Sequence, residues 1–547
     1  MKKRFVETLK SERFIRALAV AALPTLFCFI FFVTHSFTPA SMFTSEWNDE
    51  LFYFKQVEAI LHHGYPRGYF GFNESHAISL SFAAWSPVLV WPWVLWGLIF
   101  GWTESAPFVS NLIIYTIAMF IFGWCTKPSR KQTIWTAIFF LAFYPNLRYI
   151  LAAMPETIAF SVVIVIYSLS ISYINTHKKG TMIAALILGS VAVLMRPYLL
   201  LYLLLPAVLF VTERPKGKRF TGALLMLIPV MVSGIFYVLI NHFLSAEYFT
   251  PLFYTDVITE FLDSGIGGGF RHLASTLYYK GWGFADLIKR AFLVDDSAPG
   301  LFFVLYLWIM VVYAVRVIIL MCEKKKAKSS DASDSKQRGT YFLVQLHELL
   351  AFAAMLFALL TMYKLIEGSK HLLTFMAGAL PVLAVTELSS VDEKREKVLK
   401  VVDIITKISV LTGLLWIFIL HRTSDYDFAV PVRSEAQDER AVYWEDVFKD
   451  NIVIDETNAP SYDNTVIWMF ADVVDDKQIN TDWQMLYRLP KGSGISCCYR
   501  EYFLDDPDQV KSAYIFVTGG GPVEELLVEE GWECIGNDGS MVMYKRK

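Results

Sequence analysis

The chain has 547 residues, 55% of them hydrophobic and 16% aromatic but only 18% charged, with a formal net charge of −3 and a mean hydropathy of +0.43. Soluble domains carry about a quarter charged residues, so this composition excludes an ordinary soluble domain and indicates an integral membrane protein. No basic stripe with interleaved aromatics occurs, which argues against a nucleic-acid binder.

The N-terminus sets Lys2, Lys3, Arg4, Lys10, Arg13 and Arg16 before or at the start of an apolar stretch over residues 14–36. That stretch is too long for the apolar region of a signal peptide, and no small-x-small cleavage site follows it. It reads as a retained signal anchor. Just beyond lies Ser45-Glu46-Trp47-Asn48-Asp49-Glu50-Leu51-Phe52-Tyr53, an adjacent acid pair followed by aromatics. Carboxylates near hydrocarbon carry a desolvation cost and tend to mark substrate or ion sites. An aspartate held there can take a proton from an attacking hydroxyl. A solvated loop kept in water by its acids is the plainer reading of the same residues.

Apolar runs near residues 14–36, 106–125, 133–147, 157–174, 181–195, 198–212, 221–244, 300–321, 342–362, 371–388 and 404–420 give about eleven helices of membrane-crossing length. The connections around Lys127, Arg130 and Lys131, around Lys178 and Lys179, and over residues 214–219, 324–338 and 394–400 are basic. With the N-terminus inside, all of them face the cytoplasm. The long connections 37–105 and 245–299, and everything after Arg422, then lie outside. Residues 83–101 are also apolar and long enough to span, but counting them would turn every later basic loop outward. They carry Trp85, Trp91, Trp93 and Trp96 with Pro87 and Pro92, so the stretch reads as an interfacial or re-entrant helix within the first outer loop. Arg316, Glu348 and Lys407, the charges within spans, fall near cytoplasmic ends, where long side chains can reach the headgroups. No internal repeat of the kind transporters show is present. The Gly265–Gly269 stretch reads as flexible, and its mobility would suit a lid.

The expected architecture is therefore a mainly α, polytopic membrane helix bundle over residues 1–422, with its N-terminus in and its C-terminus out. A small extracytoplasmic α/β domain follows over residues 423–547. In that tail Thr465-Val466-Ile467-Trp468-Met469-Phe470, Ala513-Tyr514-Ile515-Phe516-Val517 and residues 540–544 predict strands, and residues 522–530 a helix with Pro522 near its start. Thr518-Gly519-Gly520-Gly521 lies between strand and helix, where a phosphate cradle is conceivable, but the remainder of a nucleotide fingerprint is missing and a tight turn is expected. Of the six cysteines, Cys534 has Cys497 and Cys498 as candidate partners for a disulfide. No zinc-ligand spacing occurs among Cys or His, including His62, His63 and His76. Asn73-Glu74-Ser75 matches a glycosylation sequon, a weak pattern by itself.

This topology gathers polar residues at the outer face. Asp49 and Glu50 open the first outer loop; Arg148 and Pro155-Glu156 share a short outer connection; Arg196-Pro197-Tyr198 forms another outer turn; and Glu367, Lys370 and His371 precede a later helix. Carboxylates beside cations suit attack by a hydroxyl on a sugar carried by a lipid phosphate: a carboxylate activates the nucleophile and cations stabilise the departing phosphate. The same residues have plainer roles, Arg196 and Lys370 as headgroup anchors and Glu156 as a helix-start acid.

Asn48-Asp49-Glu50-Leu51-Phe52-Tyr53, Ser86-Pro87, Phe100-Gly101-Trp102-Thr103-Glu104-Ser105, Pro155-Glu156, Arg196-Pro197 and the Glu367 segment leading to Leu380-Pro381 occur in this order. Over residues 10–420 the chain resembles a GT-C class integral membrane glycosyltransferase, similar to protein O-mannosyltransferases and to bacterial aminoarabinose and mannosyl transferases. The resemblance implies Asp49 as catalytic base, Glu156 as the second acid and Lys370 as a ligand of the lipid phosphate. The outer-face clustering adds Glu50 as a further catalytic candidate and Arg148, Arg196 and His371 as substrate-binding candidates. The family often has Asp where this chain has Glu156, and Arg–Tyr where it has Lys370-His371, so the donor class stays open. The implied reaction is inverting transfer of a sugar from a polyprenyl-phosphate donor to a hydroxyl on a glycan, glycolipid or protein, at the outer face of a cell membrane. It requires no metal for the chemistry. An oligosaccharyl- or phospho-group transferase with a divalent cation near Asp49 and Glu156, a lipid-linked glycan flippase, and a non-catalytic membrane scaffold are the alternatives.

Overall fold

The computed structural model describes residues 11–34, 48–64, 70–74, 86–244, 256–293, 299–326, 332–363, 365, 371–390, 392–421, 435–454, 462–470, 473–474, 477–478 and 482–547. In chain order the elements are α1 (Glu12–Ala21), α2 (Leu23–Thr34), α3 (Asn48–His63), β1 (Phe70–Phe72), a 3-10 turn (Pro87–Val90) running into α4 (Trp91–Phe100), α5 (Ala106–Thr126), α6 (Arg130–Ala142), α7 (Pro145–Ile150), α8 (Glu156–Thr176) and α9 (Lys179–Met195). A 3-10 turn (Pro197–Leu199) opens α10 (Leu200–Thr212), followed by α11 (Arg219–Leu244), α12 (Asp256–Asp263), α13 (Gly265–Leu293), α14 (Pro299–Lys326), α15 (Ala332–Thr361), α16 (Leu372–Val385) and α17 (Glu393–His421). The tail holds α18 (Glu435–Asn451), β2 (Thr465–Phe470), β3 (Val473–Val474), β4 (Lys477–Gln478), β5 (Gly494–Tyr499), α19 (Arg500–Leu504), β6 (Tyr514–Thr518), α20 (Pro522–Glu529), β7 (Glu533–Asn537) and β8 (Met541–Lys545).

Among the described residues six helices are long and apolar enough to cross a membrane, and the bent pair α1–α2, with a 42° kink, adds a seventh. The kink falls at Ala22, just before Pro24. The other expected spans are represented by shorter helices: α6, α9, α10 with its 3-10 start, and α16. Local chemistry sets their ends. Ser129 and Gln132 form a reciprocal capping box at the start of α6, satisfying two orphan N–H groups. Small residues let helices meet closely: a Cβ on Gly123 of α5 would lie 2.8 Å from the Ala17 Cα of α1, and one on Gly378 of α16 would lie 2.5 Å from Val163 of α8. Such contacts hold bundles together where lipid is as apolar as the core.

Residues 87–100 form one 3-10 turn and the ten-residue α4, roughly 15 Å of helix, about half a bilayer. Trp93 is buried, whereas Leu98, Ile99 and Phe100 are exposed. The stretch expected as an outer loop over 245–299 is largely helical in its described part. Gly265–Gly269 forms the first turn of the 29-residue α13 rather than a flexible segment.

The charges expected to snorkel do not. Arg316 is fully enclosed and donates to the Gln345 Oε1 (2.9 Å), the Asp403 carboxylate (2.6 Å) and the Thr386 carbonyl (3.0 Å), and Lys407 pairs with Asp403 at 2.8 Å. With this many partners available between helices, a guanidinium is better satisfied inside the bundle than at headgroups. The cluster ties α14, α15, α17 and the end of α16 together. Glu348, one turn beyond Gln345, is likewise enclosed.

The tail folds as a mixed six-stranded sheet in the order β1-β5-β2-β6-β8-β7. β5, β2 and β6 are parallel, and β8 and β7 add antiparallel. The predicted strands and helix over 465–470, 513–517, 540–544 and 522–530 correspond to β2, β6, β8 and α20. The first strand comes from elsewhere: Phe70, Gly71 and Phe72, between α3 and α4, pair in parallel with Ile495, Ser496 and Cys497. Glu74 follows with a left-handed backbone, φ +57°. Its buried carboxylate accepts from the Lys511 and Ser512 N–H groups (3.0 and 2.6 Å) and from the Tyr502 hydroxyl (3.1 Å). Asn73 of the sequon is engaged as well, accepting from the Tyr499 N–H at 3.2 Å. The sheet domain therefore includes residues 70–74 in addition to the tail.

All six cysteines are free. Three strands separate Cys534 on β7 from Cys497 and Cys498 on β5. At about 4.8 Å per strand step this exceeds the span of any disulfide. The glycine run after β6 is a tight turn, with Gly520 at φ +77° and its N–H donating to the Glu524 carboxylate at 2.5 Å.

Candidate active site

Helix α3 starts at the acid pair, where Asp49 and Glu50 lie in the first turn and favour the positive end of the helix dipole. The two acids then diverge. Glu50 is fully enclosed: one oxygen accepts from the Arg148 Nη2 at 3.2 Å, the other from the Ala153 N–H at 3.1 Å. Asp49 is half-buried. Arg148 lies on α7 and Ala153 in the connection to α8, so Glu50 docks α3 onto the turn that delivers Glu156. Asn111 of α5 holds the same turn, donating to the carbonyls of Tyr149 (3.2 Å) and Ala152 (3.0 Å) while accepting from the Trp93 indole at 2.9 Å.

Pro155 caps α8 and Glu156 is its first residue. The Glu156 side chain is enclosed and pairs with the equally enclosed Arg196 at 2.6 Å. Arg196, extended at φ −148° between α9 and the next 3-10 turn, also donates to the Tyr198 hydroxyl at 2.8 Å, which lies 3.4 Å from the Thr374 Oγ1 of α16. The His371 ring stands 5.4 Å from that of Tyr198 and 5.5 Å from that of Tyr363. Arg196, the α8 start and the α16 start are thus one cluster.

Tyr53 links this cluster to Asp49. It lies four residues after Asp49, on the same face of α3, is buried, and hydrogen-bonds Arg196. Burial pushes its phenol well above the ordinary range; the Arg196 charge opposes the shift, and Asp49 and Glu156 add to it. The hydroxyl therefore stays protonated as a donor at any physiological pH.

The structure thus brings Asp49, Glu156, Arg196 and His371 around Tyr53 and Tyr198, and sets Glu50 with Arg148 as a second ion pair behind them. Lys370 and Glu367 lie outside the described residues. Among the described residues no group of three or more His, Cys, Asp or Glu side chains is placed to hold a metal ion. Tyr53 and Asn111 were not singled out from sequence. The i, i+4 spacing from Asp49 signals Tyr53, whereas nothing local distinguishes Asn111 from any polar residue in an apolar helix.

No protein-family model matches the chain, and no curated protein does. Among solved structures it is similar to the oligosaccharyltransferase of Archaeoglobus fulgidus tethered to an acceptor peptide, at 10% identity and a TM-score of 0.44, over 93% of this chain and 69% of that one. It is also similar to ArnT from Cupriavidus metallidurans bound to undecaprenyl phosphate, at 12% identity and a TM-score of 0.40, over 96% of this chain and 97% of that one. Apo ArnT from the same organism gives 13% identity and a TM-score of 0.38.

Proposed function

We propose that the chain is a multi-pass membrane glycosyltransferase that moves a sugar from a polyprenyl-phosphate donor to a hydroxyl acceptor at the extracytoplasmic face, with inversion. The observation that carries this reading is the division of labour at the start of α3. Glu50 is fully enclosed with Arg148 and the Ala153 N–H, whereas Asp49 is half-buried beside the enclosed Tyr53–Arg196–Glu156 cluster, so Asp49 is the acid of the pair that an incoming hydroxyl can reach. In this reaction the acceptor oxygen forms a bond to the anomeric carbon as the bond from that carbon to the phosphate oxygen breaks. Asp49 takes the acceptor proton, and the electron pair leaves on the lipid phosphate. His371, at the entry to α16, and Lys370, the residue before it in the chain, supply the donors that stabilise that phosphate, and Arg196 holds Tyr53 and Tyr198 in place around it. Because Arg196 already balances Glu156, the site favours this route over one that shares Glu156 and Asp49 with a divalent cation.

The test is transfer of radiolabelled sugar from undecaprenyl-phosphate-linked donors to total membrane acceptors by the purified protein in nanodiscs. Label on a glycan, glycolipid or protein supports the proposal; its absence with every donor, alongside intact folding, removes it. Enclosed Glu348 supports a second reading, a lipid-glycan transporter, because intramembrane acids commonly mark transport paths. Movement of fluorescent lipid-linked glycan across proteoliposomes without covalent transfer would establish that reading instead.

A further inference from the structure

One peptide group in the connection from α7 to α8 is gripped at both ends. The peptide between Ala152 and Ala153 gives its carbonyl oxygen to the Asn111 Nδ2 of α5 at 3.0 Å and its N–H to the Glu50 carboxylate of α3 at 3.1 Å. The two groups of a planar trans peptide point in opposite directions, so Asn111 and Glu50 hold it from opposite sides, just ahead of Glu156. The Asn111 amide is used at both ends. Its Nδ2 also donates to the Tyr149 carbonyl at 3.2 Å, and its Oδ1 accepts from the Trp93 indole at 2.9 Å. Carbonyls only accept and an indole N–H only donates, so these partners admit a single orientation of the amide. Trp93 and Asn111 are both fully enclosed. Two carbonyls are reason enough for an amide at position 111; the third partner ties that amide to α4.

Helix α4 also touches the helix that carries Asp49. Gly97 packs directly on the Leu61 side chain of α3, and the Trp102 indole, just past α4, donates to the Phe54 carbonyl at 3.1 Å. The other face of α4 is bare: Leu95, Leu98, Ile99 and Phe100 are exposed. Only residues 101–105 separate α4 from α5, which is long and apolar enough to cross a membrane, so the bare face lies where that span enters lipid. Trp91 and Trp96 on the same short helix suit that interface.

We propose that α4 seats in the lipid leaflet at the entrance of α5, and that Trp93 and Asn111 are positioning residues that carry this seating to the acids. They hold the Ala152–Ala153 peptide against Glu50, and with it the Glu156–Arg196 pair, at a fixed place relative to Asp49. The inference rests on the glycosyl-transfer reading and adds the bilayer as a partner in setting the reaction geometry. Asp49 and Glu156 belong to different helices and meet electrostatically at Tyr53. A shift of the α8 start by about 1 Å would misplace donor against base, and such a misplacement can lower a rate about a hundredfold without loosening the donor.

The experiment uses the full-length protein in nanodiscs, with steady-state transfer from the undecaprenyl-phosphate-linked sugar that the wild type accepts. Three variants are compared. Trp93→Phe removes the indole N–H and keeps an aromatic ring; Leu98→Gln with Ile99→Gln makes the bare face polar and leaves every site residue in place; the third combines them. Each of the first two should lower kcat about tenfold with the donor KM near wild type. The combination should stay close to Trp93→Phe alone, because the link from α4 to the turn is already cut. A wild-type kcat in Trp93→Phe, a rise in KM in place of the fall in kcat, or a combined loss equal to the product of the separate ones overturns the proposal; unrelated damage to packing would give that product. If the glutamine pair instead halves the protein mass in the particle, the bare face belongs to a second copy and the lipid seating falls. If the wild type transfers no sugar from any donor, the glycosyl-transfer reading falls and takes the positioning role with it.

Discussion

At the scale of single residues, two adjacent acids in one helical turn meet different environments, and their variants should fail in different ways. Asp49→Asn removes the proposed base and keeps a side chain of the same size. Turnover should fall by roughly two orders of magnitude or more while donor affinity stays near wild type; near-normal turnover in a well-folded variant would take Asp49 out of the mechanism. Glu50→Gln leaves the enclosed Arg148 facing a neutral amide. Breaking a buried pair costs about 3–5 kcal/mol, so Tm should drop before any kinetic change can be read, and a variant as stable as wild type would show that the pair carries no such weight. The acid pair, Glu156, Arg196 and His371 were legible because charge beside apolar runs is rare enough to notice. That Glu50 points inward was not legible, because the Ala153 N–H it serves lies 103 residues away.

At the scale of elements, α3 is held on two sides. On one, the Phe54 ring stacks on Trp102 at 5.3 Å and meets the Tyr487 edge at 5.0 Å. On the other, the enclosed Lys55 donates to Glu58 (2.8 Å) and to the Leu489 carbonyl (3.2 Å). Arg488 adds ion pairs to Glu104 and Glu445. The sheet domain is thus a support for the helix that carries the acids, and Lys55→Met should lower kcat more than it weakens donor binding; an unchanged kcat would show that α3 stands without the tail. The tail has its own acid-sensitive joint at Asp538. Burial opposes its charge, but the Met541 and Ser540 N–H groups, the Trp444 indole and Arg440 outweigh burial and hold its carboxyl below the ordinary 3.8. A depressed folded-state value contributes stability that is complete above the unfolded value and disappears as pH falls through the folded one. Melts of the full-length protein should therefore lose stability below about pH 3.8, and Asp538→Asn should flatten that acid limb while lowering Tm at neutral pH. An acid limb of the same slope in the variant would assign the loss to other groups.

For the whole molecule, β1 and Glu74 set a condition on topology: because residues 70–74 are built into the tail sheet, that segment and the tail lie on the same side of the membrane, and the chain crosses an even number of times between them. The ten expected spans from 106 to 420 meet this condition only if α4 does not cross. A cysteine at Ser129 should then react solely with reagents that enter the cytoplasm, while the exposed natural Cys534 should react with an impermeant reagent outside intact cells. Labelling of both from one side would overturn the arrangement. The bundle was legible because apolar runs and basic loops are local signals. The edge strand was not, because three residues, Phe70, Gly71 and Phe72, form a strand only against a partner more than 400 positions later. That distance has a consequence during synthesis. Helix α3 leaves the ribosome early, but Leu489, Tyr487 and β5 follow only after every crossing has been made. A nascent chain already threaded through the bilayer therefore carries its acids on an unsupported helix, and the enzyme proposed here becomes competent only once the segment from Tyr487 to β5 has been made.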